Sequence, residues 1–106
     1  MSKTNAKQEF LAHIPKDRYV HCASIFHGDD YSLDEQRKII LKVDYSTSDY
    51  ELFLFNLDFM YDSGYGGQEL FGTIWYTDGT WSTRGEYDGS EWWELHDLPD
   101  IPEYLR

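Results

Sequence analysis

The chain has 106 residues, of which 41% are hydrophobic and 18% aromatic, enough for one modest core and too apolar for a disordered segment. Its 9 Lys/Arg stand against 20 Asp/Glu, a formal charge of −11, and after residue 42 only Arg84 and Arg106 oppose the acids. That field disfavours direct contact with nucleic-acid phosphates, which bind through cations, and no apolar run nears the ~18 residues of a membrane span.

Length predicts a single α+β domain over residues 1–106. The lone Cys22 excludes an internal disulfide, and the N-terminus MSKTNAKQEF lacks the apolar stretch of a secretory signal, so a soluble cytoplasmic protein is expected.

Thr4 is an N-cap type residue, and Ala6, Phe10, Leu11 and Ile14 follow at spacings of three and four. An amphipathic helix over residues 5–14 is expected, stopped by Pro15. Residues 19–27 are rich in β-branched and aromatic side chains and end at Gly28-Asp29-Asp30, the pattern of a strand. A helical turn is expected at residues 32–36. Residues 37–45 alternate Ile39, Leu41, Val43 and Tyr45 against Lys38, Ile40, Lys42 and Asp44, as a half-buried strand does. Residues 47–62 carry two signals at once: Ser48 to Glu51 matches a capping box, while Phe53, Phe55, Leu57, Phe59 and Tyr61 alternate. A helix over 48–56 followed by a strand over 57–62 satisfies both. A glycine-rich loop at 63–68 then leads into the run FGTIWYTDGTWSTRGEYDGSEWWELH, residues 71–96.

In that run Asp78-Gly79 and Asp88-Gly89 separate three aromatic-rich segments, which predicts a β-meander with two-residue turns. The register then pairs Tyr76 with Trp81, Ile74 with Thr83, Gly85 with Trp92, and Arg84 with Trp93. One face would hold Leu70, Ile74, Tyr76, Trp81, Tyr87 and Trp92. The other would hold Phe71, Thr73, Trp75, Arg84, Glu86, Glu91, Trp93 and Leu95. The fold expected is an antiparallel sheet of four or more strands with one or two short helices packed on one face; Pro99 and Pro102 keep the tail extended.

Chemistry-bearing motifs are few. Gly64-Tyr65-Gly66-Gly67 has the flexibility of an anion nest but not the spacing of a nucleotide-binding loop, and acids surround it. His13, His21, His27 and His96 are scattered, with no Cys-x-x-Cys or His-Glu-x-x-His, so no metal, cofactor or catalytic residue is assigned. Asp29-Asp30, or Asp58 with Asp62, read as solvated turn acids rather than a cation site. The richest constellation is Trp75, Arg84, Glu86, Glu91, Trp93 and Glu94. Arg84 is expected to stack on Trp93 and pair with a carboxylate to order the sheet. Its functional reading is an interface anchor, since Arg and Trp are preferred there, and these six form the candidate partner-binding set.

Residues 70–94, with DSGYGGQ at 62–68 before them and Ile101-Pro102-Glu103 after, resemble a group of small bacteriophage and prophage proteins. The run RGEYDGSEWW at 84–93 is the most specific part, and residues 1–45 take no share in it. The resemblance implies a phage accessory protein working in bacterial cytoplasm, and transfers no catalytic role. The functional expectation is a non-enzymatic binder of a host protein with a basic surface, acting by nucleic-acid charge mimicry. Two alternatives stand beside it: an assembly module that dimerises through exposed sheet aromatics, and, with least support, a metal-dependent hydrolase.

Overall fold

The α+β architecture predicted above is present: two helices, a five-stranded antiparallel sheet and a separate two-stranded sheet. The structure is a computed structural model, which describes residues 3–28, 37–62, 68–87, 90–97 and 104. The turn expected at 32–36, the glycine loop at 63–67, the Asp88-Gly89 turn and the Pro99 and Pro102 segment lie outside those residues.

A short strand missed in the sequence, β1 (Lys3–Asn5), runs directly into α1 (Ala6–His13). Asn5 rather than Thr4 caps that helix, accepting the Gln8 N–H at 2.9 Å. Strands β2 (Val20–His27) and β3 (Arg37–Leu41) follow, β3 ending four residues short of expectation. Beyond it Asp44 takes φ 59, a left-handed geometry that Asp tolerates better than the β-branched residues around it, and this bends the chain into α2 (Thr47–Leu57). The capping box belongs to Ser46 and Asp49, two residues before the expected one; Asp49 N–H donates to Ser46 Oγ at 3.1 Å and Ser46 N–H donates back at 3.0 Å. Helix therefore wins over strand alternation through Leu57, leaving β4 (Met60–Asp62) to pair antiparallel with β1, Thr4 opposite Tyr61.

The meander is β5 (Leu70–Tyr76), β6 (Trp81–Tyr87) and β7 (Ser90–His96), and the sheet order is β3-β2-β5-β6-β7. Its first register differs from expectation. Trp75 pairs with Trp81 and Ile74 with Ser82, because Tyr76 N–H reaches Thr80 O across a three-residue loop in which Gly79 takes φ 91 and Asp78 accepts the Thr80 N–H. Such a loop places a left-handed glycine at its third position, where the two-residue turn needs two. The second hairpin keeps the expected pairs, Gly85 with Trp92 and Arg84 with Trp93.

Both helices lie on one face of the sheet. Phe10 and Phe53 meet edge to face, ring centroids 5.3 Å apart, above Ile25, Ile39, Leu41, Leu70 and Ile74. Close strand approach is essential here: a Cβ on Gly72, φ 152, would lie 2.4 Å from Ser24 O.

Candidate functional site

Strand parity divides the six predicted site residues between the two sides of the sheet. A one-residue shift in the first hairpin reverses which β6 side chains accompany Trp75. Arg84, Glu91 and Trp93 point inward beneath α1, with Leu70, Ile74 and Tyr76; Trp75 and Glu94 lie on the opposite, outer face. Glu86 is exposed near the end of β6, paired with Glu91. Three of the six expected partner contacts are thus core residues, and the expected grouping of Trp75 with Arg84 is corrected.

The inner group is an ion network. Arg84, with a side chain 2% exposed, donates from Nη1 to Glu9 Oε1 at 3.0 Å and from Nη2 to Glu91 Oε1 at 2.8 Å and to the Tyr61 hydroxyl at 2.9 Å. The Tyr61 hydroxyl donates to Glu9, and the Trp93 ring stacks 5.0 Å from the guanidinium. Burial opposes the Arg84 charge, yet Glu9 and Glu91 outweigh it and hold its pKa above the usual arginine value. Burial, with the bond to Glu9, pushes the Tyr61 phenol well up.

Glu91 has a second task. Its two oxygens accept the N–H groups of Glu69 at 2.8 Å and Leu70 at 2.9 Å, at the entrance to β5. The β5–β6 ladder covers only Thr73 to Trp75, so the first residues of β5 have no register partner on β6. The carboxylate takes the place of the missing ladder, and Arg84 neutralises it in the gap. Sequence reasoning missed Glu9 and Tyr61; the available signal was Glu9 and His13, four apart, flanking Phe10 on the buried side of α1.

His13 Nε2 shares a 2.8 Å hydrogen bond with Ser82 Oγ, which meets the Tyr76 hydroxyl at 2.9 Å. A hydroxyl beside an imidazole is the start of a nucleophile and base pair, but Ser82 is fully buried and holds the helix to the sheet instead. Burial lowers the His13 pKa, Glu9 opposing and Arg84 reinforcing. His21 and His27 do not converge: His21 sits at a β-bulge, and His27 packs on Phe59 at 4.4 Å. Burial raises the Cys22 thiol, so it is a poor nucleophile. Among the described residues no group of three His, Cys, Asp or Glu is placed to hold a metal ion.

The outer face has a different character. Register places Cys22, Ser24 and Phe26 of β2 beside Trp75, Thr73 and Phe71 of β5, then Trp81 and Thr83 of β6, then His96 and Glu94 of β7. Trp75 is 42% exposed, Trp92 37% and Tyr87 77%, and no described helix covers them. The polar groups between the rings are paired: Thr83 Oγ1 with His96 Nε2 at 2.7 Å, and Trp92 Nε1 to Glu94 Oε1 at 2.8 Å. Gly85 lies under that last pair, where a Cβ would be 2.6 Å from Trp92 Nε1. The described acids are divided among several elements. Asp49 and Glu51 belong to α2, Asp78 and Asp97 pair with Arg18 at 3.1 and 3.3 Å, and Glu91 is internal.

No helix among the described residues is long and apolar enough to cross a membrane. No protein-family model, curated protein or solved structure matches the chain.

Proposed function

We propose that the chain is a non-enzymatic binding protein of phage type that docks on a host protein through the outer face of its sheet. The observation that carries this reading is the exposure of Trp75, Trp92 and Tyr87 on the outer face, with half-buried Trp81, Phe26 and Phe71 on the same side. Burying apolar surface gains about 25 cal/mol per Å², so large rings left exposed on one face of a small protein mark an interaction site. Tryptophan and tyrosine bring large rigid area at small entropic cost, which suits a contact surface.

Charge selects the partner. Glu86, Glu94 and Asp97 edge the meander, and the whole chain carries −11, so a basic protein surface is attracted and nucleic acid repelled. A base-stacking platform is served by a cationic groove, and the described residues on the β7 side of this face supply none. Occupation of a basic surface that otherwise holds nucleic acid makes the protein an inhibitor by charge mimicry. Affinity capture from bacterial lysate tests this with the parent and with Trp75→Ser/Trp92→Ser. The parent is expected to retain a basic protein that the double variant loses and that elutes early as salt rises. Equal recovery by both proteins refutes the assignment of the outer face.

A homodimer is the second reading. Among the described residues β7 is a sheet edge, seven residues long and without Lys or Pro, features that usually protect an edge from pairing. Light scattering decides between the readings, since a strict monomer at high concentration removes the dimer.

A further inference from the structure

β3 closes the other side of the sheet, and what lies beside it differs from the β7 edge. One side of Arg37–Leu41 pairs with β2, Ile39 opposite Ile25; among the described residues no strand takes the other side. Along it runs a groove of about 220 Å³, walled by Ile40 and Leu41 of the strand, by Lys42 just beyond it, and by Asp49, Leu52, Phe53 and Asn56 of α2. The helix residues fall at spacings of one, three and four, so one face of α2 looks onto the groove. Phe53 is its buried floor, whereas Leu52 is 59% and Ile40 48% exposed.

We propose that this groove binds an extended acidic peptide segment of a partner protein, which joins the sheet as a sixth strand against β3. This surface adjoins the outer aromatic face at Phe26, over whose ring Lys38 Nζ lies at 6.0 Å, but the proposal does not rest on that reading. Three features fix the chemistry of the occupant. An open strand edge presents backbone N–H and C=O groups that an extended backbone satisfies, while a groove alongside it receives alternate side chains. The volume is below the ~300–1,000 Å³ of pockets built for drug-sized ligands, and suits apolar side chains from a strand. Lys38 and Lys42 flank Ile40 two positions to either side, and the Asp49 carboxylate across the groove is committed to the Ser46 N–H.

Those lysines also set the specificity. Pairing β3 with β3 of a second copy places lysines near lysines, which is how natural edges are kept from self-association. An acidic strand turns the same charges into favourable cross-strand pairs. The edge therefore rejects its own copy and accepts an acidic segment.

A displayed library of random ten-residue peptides, selected on the full-length protein, provides the test. The expected winners alternate apolar residues with Asp or Glu. By fluorescence anisotropy, their binding falls about tenfold or more with Leu52→Glu and with Lys38→Glu, and is unchanged by Trp92→Ser; a tenfold loss corresponds to about 1.4 kcal/mol. Hydrogen exchange shows alternate amides of Arg37–Leu41 slowing when the peptide is added. Circular dichroism establishes that each variant is folded. The proposal is overturned if no peptide is enriched, if the winners are basic, or if folded Leu52→Glu binds as well as the parent. It is equally overturned if the same amides slow with protein concentration alone, which assigns the groove to a second copy.

Discussion

Replacing Arg84 with Met keeps an unbranched side chain of similar reach and removes the cation between Glu9 and Glu91. Glu91, whose side chain is 0% exposed, is then left charged in the interior with only the Glu69 and Leu70 N–H groups for company. Breaking a buried pair from one side costs roughly 3–5 kcal/mol, and those two backbone donors place this case near the lower end, about 3 kcal/mol. A domain of this size has a total stability of about 5–15 kcal/mol and loses roughly 4–8 °C in Tm per kcal/mol, so a fall of roughly 12–24 °C is expected. Urea and thermal melts followed by far-ultraviolet circular dichroism measure it without relying on the fluorescence of Trp93, which stacks on the mutated site. Adding Glu91→Gln removes the stranded charge, so the double variant should regain about 1 kcal/mol over Arg84→Met. The two single losses should then exceed the double loss by about 1–3 kcal/mol. Melting of Arg84→Met within ~4 °C of the parent, or strict additivity of the pair, refutes the idea that the network neutralises a buried carboxylate.

Three further perturbations probe other parts of the fold. His13 has a lowered pKa in the folded protein, so the unfolded chain takes up the proton first as pH falls; stability is complete above the ordinary value of 6.5 and declines below it. His13→Gln should flatten the dependence of the urea midpoint between pH 7 and 5, and an unchanged slope would assign it elsewhere. Gly72→Ala forces a Cβ to 2.4 Å from Ser24 O and 2.9 Å from Ile25 Cα, so a loss of at least ~2 kcal/mol in urea unfolding is expected. Ser46→Ala removes the Oγ that accepts the Asp49 N–H, one of the two bonds of the α2 capping box, and should lower stability by ~1 kcal/mol; no change in the denaturation midpoint would mean that water caps the helix equally well.

The fold class was legible because the signals that carry it are local. The strands at residues 20–27 and in the meander, the helix stopped before Pro15 and the pairing of Arg84 with Trp93 follow from alternation and turn chemistry within a few residues. Within the candidate site the stacking of Arg84 on Trp93 and its pairing with a carboxylate were legible, and the face that each member takes was not. Whether Arg84 shares a face with Trp75 depends on one residue in the Asp78-Gly79 loop, and an Asp-Gly pair serves both a two-residue turn and the bulged loop adopted here. The β1–β4 pairing and the approach of Glu9 and Tyr61 to Arg84 depend on tertiary contacts that no local pattern announces. The competing signals at residues 47–62 were resolved by the Ser46 cap, which the sequence displays as plainly as the Ser48 alternative.

The ion network also sets a timetable for synthesis. Glu9 meets an arginine 75 positions later, and His13 meets a serine 69 positions later. At ~5–20 residues per second, roughly 4–15 s separate the emergence of the first partner from that of the second. During that interval α1 has no charged dock, although α2 and the strands of its apolar one are made. A chain cut short before Arg84 thus keeps the contact of Phe10 with Phe53 and the pairing of β1 with β4, and lacks the charged contact between α1 and the meander.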